Sequence, residues 1–525
     1  MTKKTKSLVV VMAVTAMMLA ACSGNGNNNG EQATAKPEAT GNTNGNAGAD
    51  KQEEPVTIKV LAQFGRADLT ENEKAFFQKV NEALNIDFQL VIPPSSGYAE
   101  QLQLTLISGD VPDVVFFPSE QDEMFINAVR DGAVIPINSY LENSENLKNY
   151  SYEHSWEALK TMRDDNIYGV PRTSITRNDG FMVRKDWLDK LSIEIPADNE
   201  VTLDQFNEIL RAFTFDDPDQ DGKQDTYGVG SYVDANKVLL PVLVSELGHY
   251  GWQKSTDGSY PFMLPEYDAQ SDVYKNILLY TQKLYAEGIL DPDSPLNDSA
   301  AASERFKQGV TGVIRGFAGH VNAQEKVLKE IDPQAELTYL FVKGPEGKVQ
   351  GTGYGTGIWG VWAVTAESEH PEKAIQAFDY MLSEEGWDYL YNGIEGVDYK
   401  LVNNEKVYNP DISRGIATSI MRRHNAPEFF LDPTKFTKEE LDRVSPWVDK
   451  AVATVVTSMD KGYVPPAARE PQYMDYKLTW DELTTKIMLG DLPIDQLDKA
   501  RADWYKNGGE QYLKEMNEYI QSLEN

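Results

Sequence analysis

One cysteine in 525 residues, Cys22, excludes a disulfide framework, so the fold has to be held by its core. Histidine is almost as scarce: the five stand at 154, 249, 320, 370 and 424, without the short spacings of a zinc site. No G-x-S-x-G elbow, H-E-x-x-H pair or P-loop lysine occurs, which removes the usual carriers of hydrolytic and nucleotide chemistry. Paired carboxylates of the glycosidase kind carry no weight, because a chain this acidic offers such pairs by chance. Basic residues are in deficit, 49 Lys and Arg against 82 Asp and Glu, for a net charge of −33. Nucleic acid and anionic lipid are therefore disfavoured partners for the folded body. Long apolar runs are missing too. The longest, residues 8–20, is about a dozen residues where a bilayer span needs roughly twenty.

That short run is flanked by Lys3, Lys4 and Lys6 on one side and by Leu19-Ala20-Ala21-Cys22 on the other. The arrangement resembles a bacterial lipoprotein signal with its lipobox. The resemblance implies that residues 1–21 are removed and that Cys22, acylated with diacylglycerol and palmitate, becomes the new N-terminus. The competing reading is a plain secretory signal with an incidental cysteine. From Ser23 to Pro55 there is no aromatic, Leu, Ile, Val or Met. Such a segment cannot bury enough apolar surface to repay ordering, so 22–54 is expected to be a disordered polar linker reaching on the order of 30 Å. Two acyl chains anchor a protein stably without a spanning helix, and the expected location is the extracellular face of the cell membrane.

The remaining residues, 55–525, are too many for a single core, so two or three domains are expected. Val56, Ile58 and Val60 alternate as a strand, and Thr70 with Glu73 forms a capping box before a helix carrying Phe76, Phe77, Val80 and Leu84. Ile86, Phe88, Leu90 and Ile92 make a second strand. A helix with Leu102, Leu106 and Ile107 stops at Gly109, and a buried third strand runs through 113–117. This β-α-β-α-β opening predicts an α/β fold with a mainly parallel sheet. Further on, Thr202 with Gln205 caps a helix bearing Phe206, Ile209, Leu210 and Phe213, and 271–287 is a helix stopped by Gly288. Tyr339 with Phe341 and the run 358–364 read as strands, Pro371 opens a helix, and from about 386 the pattern is mostly helical.

Lipobox, linker, strand and helix are followed by Ser108-Gly109-Asp110-Val111-Pro112-Asp113-Val114-Val115-Phe116-Phe117. In that order they resemble the extracellular solute-binding proteins of ABC importers, in the carbohydrate-binding family that includes the maltodextrin-binding proteins. Tyr168-Gly169-Val170-Pro171-Arg172, Val183-Arg184-Lys185-Asp186-Trp187-Leu188 and Phe306-Lys307-Gln308-Gly309-Val310-Thr311-Gly312 extend the likeness along most of the chain. Gly393-Ile394-Glu395-Gly396-Val397-Asp398-Tyr399 points to the large, LplA-like lipoprotein branch. The resemblance implies a two-lobed periplasmic-binding-protein-like fold of type II, with discontinuous lobes joined by hinge strands. On that reading 55–170 and 356–385 form lobe 1, and 171–355 and 386–525 form lobe 2. The crossings fall near Pro171, at Gly353 to Gly360 and near Ser383. It also implies a monomeric, non-catalytic protein that delivers its solute to permease subunits.

Asp217, Asp219, Asp221 and Asp225, with Gly222 at the sixth position, match the first part of an EF-hand-type calcium loop over 217–228, to which Lys223 would add its carbonyl. The twelfth position is Gly228 and not the usual Glu. Carboxylates crowded this closely repel unless a cation sits among them, so a structural calcium pinning the end of the 203–213 helix is expected; an acidic turn without metal is the alternative. Gly355-Thr356-Gly357-Ile358-Trp359-Gly360 formally reads G-x-G-x-x-G, but a strand overlaps it where a dinucleotide site needs a helix to follow, so a flexible hinge is the better reading.

Sugar recognition needs aromatic faces for the apolar side of a pyranose and planar polar groups for its hydroxyls. Ligands of open α/β sheets lie beyond the carboxyl ends of strands, which selects Gln63, Phe64 and Arg66 after the first strand and Phe117, Ser119 and Glu120 after the third. The hinges and second lobe add Arg172, Tyr232, Trp252, Arg315, Phe317, Tyr354 and Trp359, whereas Trp187, Trp387 and Ile394 are assigned to the core. The expected function is capture of an oligosaccharide or related glycoside. A peptide or other solute is the alternative within binding proteins, and a surface-anchored polysaccharide lyase or hydrolase the alternative outside them.

Overall fold

A computed structural model describes residues 54–525 apart from 95–96, 109, 161–165, 235–236, 257, 354, 410–411, 413, 427–430, 433–434 and 524–525. The signal segment, Cys22, the linker up to residue 53, and Tyr354 lie outside the described residues.

Two five-stranded sheets organise the body. The first takes strands β1 (Val56–Leu61), β2 (Ile86–Val91), β3 (Val114–Phe117) and β4 (Val170–Thr173) from early in the chain and β10 (Ile358–Val364) from much later. Its order is β2-β1-β3-β10-β4. The opening three strands are mutually parallel, and β10 runs antiparallel to β3 and β4. The second sheet consists of β5 (Gly180–Arg184), β6 (Glu200–Val201), β7 (Tyr227–Val229), β8 (Thr311–Gly316) and β9 (Leu337–Val342). Its order is β6-β9-β5-β8-β7. Here the central β5 is antiparallel to both neighbours, so this sheet is mixed where the opening pattern had suggested a mainly parallel one.

Local chemistry sets the helices. Thr70 and Thr202 accept from the backbone of Glu73 and Gln205, whose side chains reach back to the cap, so both capping boxes form. In the second sheet, alternation decides which core each residue joins. Phe181, Val183, Leu340 and Val342 pack on one face with the 203–215 helix, while Met182, Leu337, Tyr339 and Phe341 face Phe306, Phe317 and the 438–453 helix. A separate helical layer over 471–523 closes on Trp252, Phe262, Met263 and Leu278, with Tyr267 and Trp504 stacked at 3.7 Å.

The first core holds Ile58, Val60, Phe76, Phe77, Phe117, Trp362 and Phe378, and it continues through Trp387, Leu390, Ile416, Ile420, Met421 and Ala426. The third crossing expected near Ser383 therefore falls later. Residues 387–426 stay on the first sheet because Trp362 donates its indole N–H to the Ile420 carbonyl at 3.0 Å and buried Glu73 accepts from Ile416 N at 2.7 Å. The chain reaches the second body at Leu431, and the helix from Lys438 onward belongs to it. Nor is the stretch after 386 mostly helical at first, since it contains the hairpin Tyr399–Val402 and Glu405–Tyr408. Trp187 and Trp387 are buried and Ile394 is half-buried.

The glycines at the second crossing serve close approach more than freedom. A Cβ on Gly353 would lie 2.3 Å from Thr176 and 2.9 Å from the backbone of Arg177, and Gly357, at φ +65°, presses on Tyr152.

Candidate functional site

Between the two sheets lies a cleft of about 520 Å³. Its first wall is built on the first core: Trp359 from β10, then Tyr391, Arg414, Thr418, Ser419 and Arg422. Ser174 and Arg177, in the connection from β4 to β5, form its floor. The second body supplies Gly319, His320 and Ala323 around the start of the 321–331 helix, with Asp432, Lys435 and Phe436 closing the rim.

A bulge makes Trp359 available. Ile358 pairs with Thr173 and Val361 with Pro171, so β10 carries one residue more than β4 across the same span. Gly360 takes φ +122° at that point, where a Cβ would meet the Phe116 ring at 2.3 Å. The extra residue turns the indole out, 45% exposed, in a strand whose other residues are buried. Two guanidinium groups lie over it, Arg172 at 4.7 Å and Arg422 at 4.2 Å from the ring centroid.

Charge is the other feature of the cleft. Among the described residues, four lining side chains, Arg177, Arg414, Arg422 and Lys435, are cationic, against the carboxylate of Asp432. Arg177 pairs with Asp179 at 3.0 Å and lies 4.2 Å over the Phe317 ring; Lys435 pairs with Asp432 at 3.0 Å. Arg414 donates to the carbonyls of Leu390 and Tyr391 at 3.3 and 2.6 Å, and lies 3.7 Å from Asp398. Burial pushes the His320 imidazole below its ordinary range, and the Arg177 charge pushes it further.

The structure gathers Phe64, Arg172 and Trp359 into one cluster, with Phe116 beside them. Ser119 and Glu120 sit where the first lobe meets the 458–463 loop. Ser119 donates to Glu120, burial raises the Glu120 carboxyl above the usual carboxylate range, and the neighbouring Gln121 donates to the Gly462 carbonyl at 3.2 Å. Gln63 is half-buried after β1. Arg66 is committed to an ion pair with Glu73, and Arg315 to Glu246 at 2.8 Å. Tyr232 lines a separate groove with Asp234 and Lys237.

Phe117, Trp252 and Phe317 offer no stacking face. Phe117 packs on Phe125 at 5.2 Å, Trp252 on Tyr512 at 5.8 Å, and Phe317 lies in the core beneath β8 and β9. Position after the third strand had nominated Phe117, and place in the hinges and second lobe the other two, but each ring is more stable buried than held out for a ligand. What sequence reasoning missed was the basic wall. Its signal was there: Arg422-Arg423-His424 is a basic cluster in a chain that is otherwise strongly acidic.

In the acidic loop, carboxylate oxygens of Asp217, Asp219 and Asp221 lie within 4.8 Å of one another. Asp217 Oδ1 is buried without a hydrogen-bond partner, and burial together with the Asp217 neighbour raises the Asp219 carboxyl. These residues fit a hard cation. Asp225 does not join the three, and the Lys223 ammonium pairs with Asp221. Gly228 explains the missing twelfth carboxylate: a Cβ there would lie 2.4 Å from the Leu210 carbonyl, so packing of β7 on its helix requires glycine. The Gly355–Gly360 stretch enters the bulged strand β10, and no helix follows until Pro371.

Two open α/β lobes, joined by extended crossings around a solute-sized cleft, define a protein that captures a small molecule between its halves. A family model described as bacterial extracellular solute-binding protein matches residues 66–386. The chain belongs to that family, whose members are binding proteins and not enzymes. It is 26% identical over 458 residues to the polygalacturonan/rhamnogalacturonan-binding protein YtcQ of Bacillus subtilis, covering 84% of this chain and 87% of YtcQ. It is 23% identical over 495 residues to lipoprotein LipO of the same organism, covering 89% and 92%. Among solved structures, the Streptococcus pneumoniae ABC-transporter substrate-binding protein FusA, as an EF-hand mutant in complex with fructo-nystose, superposes with a TM-score of 0.63. That match has 18% identity and covers 89% of this chain and 99% of FusA. Among the described residues no helix is long and apolar enough to cross a membrane.

Proposed function

We propose that this chain captures an oligosaccharide between its lobes and delivers it to the permease of an ABC importer, working as a monomer held at the outer face of the cell membrane by acylated Cys22. The observation that carries the reading is Trp359, a half-exposed indole fixed in a cleft between two lobes and ringed by planar, hydrogen-bonding arginines. An aromatic face takes the apolar side of a sugar ring, and guanidinium forks take its oxygens. The polygalacturonan and rhamnogalacturonan of YtcQ and the fructo-nystose in complex with FusA support the same class, and the lipoprotein LipO supports the anchor. A ligand that touches both walls favours the closed form, because only there does it gain both sets of contacts.

The loop of Asp217, Asp219 and Asp221 would hold one calcium ion as a structural brace at the end of the 203–215 helix, a reading that the EF-hand named for FusA supports. The ion's role is to neutralise the crowded carboxylates.

Calorimetric titration with a panel of neutral and acidic oligosaccharides tests the function. Saturable binding, with a smaller radius of gyration in the bound form, is expected. Peptide binding without any saccharide binding, or release of cleaved or unsaturated sugars, would overturn it. For the anchor, Cys22→Ala is expected to shift the protein from the membrane to the soluble fraction, and retention at the wild-type level would refute the lipid tether.

A further inference from the structure

Among the described residues, cations outnumber carboxylates along the cleft, in a molecule whose net charge is −33. A solvated surface arginine is unremarkable, but Arg172 is of another kind. It lies over the Trp359 ring, only 7% exposed, with ring centroids of Trp359, Phe116 and Phe64 at 4.7, 5.5 and 5.9 Å from its guanidinium carbon. Among the described residues its guanidinium makes no ion pair, and its Nε has no hydrogen-bond partner. Burial lowers its pKa to about 10, so the group keeps its charge at neutral pH. Aromatic faces return only part of what a buried cation loses in leaving water, and a buried charge without its counter-charge is destabilising. Arg422 shares the same indole, whereas Arg177 and Arg414, which also line the cleft, already face the carboxylates of Asp179 and Asp398.

We propose that the saccharide taken by this cleft is anionic, an oligouronide whose ring lies on Trp359 and whose carboxylate is taken up by the Arg172–Arg422 pair. The inference rests on the oligosaccharide reading above and narrows it to one chemical class. A uronic acid combines the two things the site offers: an apolar ring face for the indole, and a planar carboxylate matching a guanidinium fork. A neutral sugar would leave the buried charge of Arg172 uncompensated. The net negative charge of the chain disfavours non-specific adhesion of polyanions, which leaves a cationic cleft to select for them.

The experiment compares trigalacturonate with its fully methyl-esterified form, which keeps the ring and removes the charge, and with a neutral trisaccharide, in calorimetric titrations at low and high salt. The uronate is expected to bind at least on the order of tenfold more tightly than the ester, with the advantage shrinking as salt rises. Arg172→Met is expected to erase that advantage while leaving the melting temperature unchanged or higher, because it removes a buried uncompensated charge. Arg422→Gln should reduce the advantage in a chain that keeps Arg172. Equal binding of ester and uronate, or of the neutral trisaccharide and uronate, would overturn the inference and leave the oligosaccharide reading standing. A sulfated trisaccharide binding more tightly than the uronate would overturn the carboxylate assignment. No binding of any saccharide by the folded protein would overturn both readings. A fall in melting temperature for Arg172→Met with the uronate preference intact would make Arg172 a structural residue and refute its role.

Discussion

Glu73 is the residue whose removal tests most directly how the cleft wall is held. It is fully buried near the start of its helix, yet its carboxylate serves three groups. It accepts from Thr70 N at 2.9 Å as the return arm of a capping box, from Ile416 N at 2.7 Å, and from the Arg66 guanidinium. Ile416 lies 343 positions away in sequence, between Arg414 and Thr418, which both line the cleft. Glu73→Ala leaves the buried Ile416 N–H without a partner, at about 1–3 kcal/mol. Loss of the cap's return arm adds about 1 kcal/mol, and the half-exposed Arg66 pair less than that. The total is about 3 kcal/mol. Glu73→Gln keeps one carbonyl oxygen for one of the two N–H groups and should cost roughly half as much. Urea denaturation followed by tryptophan fluorescence measures both. The Ala variant should also bind ligand more weakly, because the Arg414–Arg422 wall loses one of its ties to the first lobe. An Ala variant within 1 kcal/mol of wild type, or a Gln variant as damaged as Ala, would refute the reasoning.

Three further outcomes are expected. Gly360→Ala forces a Cβ into the Phe116 ring at a φ that L-residues rarely adopt, and should cost about 2 kcal/mol by the same denaturation assay; an unchanged midpoint would show that the bulge relaxes freely. Calcium at a hundredfold its Kd should add about 2.7 kcal/mol to stability, and chelation should lower the melting temperature of wild type but not of Asp219→Ala. Identical curves with and without calcium would leave a metal-free acidic turn. The third concerns pH and the pair of His249 with Glu266 at 2.6 Å. Burial alone would lower the His249 pKa, but the Glu266 carboxylate outweighs it and raises it above 6.5; burial alone would raise Glu266, but His249 holds it below 4.5. The histidine's contribution is complete below its unfolded pKa and is lost as pH rises through the raised folded value. The glutamate's is complete above its unfolded pKa and is lost as pH falls through the lowered one. The stability gap between wild type and Glu266→Gln should therefore be widest between pH 4.5 and 6.5 and narrow on both sides. A gap that widens at pH 9 would contradict the pairing.

The first lobe was legible because its signals are local. Alternating apolar residues at 56–60 and 86–92 and the Thr70–Glu73 box each state their element within a few positions, and the structure forms them all. The cleft was not legible, because its wall is a non-periodic segment, 414–422, positioned by partners at Glu73 and Trp362. Nothing near Ser383 announces that the chain stays on the first sheet; that is decided by burial of Trp387, Leu390 and Ile420 against a core built from residues 300 positions earlier. The aromatics failed for a related reason. In a run such as 114–117 every residue is buried, so ring type does not tell Phe117, inside, from Trp359, outside. Only the bulge before Val361 tells them apart, and a bulge belongs to the pairing of two strands, not to either sequence alone.

That bulge has an evolutionary corollary. Because the extra residue is absorbed between Ile358 and Val361, the positions on either side keep their places in the sheet whatever side chain stands at 359. The position proposed for recognition is thereby uncoupled from the foundation on which it rests. A lineage could exchange tryptophan there for another group and sample new specificities at little cost in folding, provided that Gly360 is retained. Innovation at the first position and constancy at its neighbour is the pattern that sequences descended from a common ancestor with this strand should display.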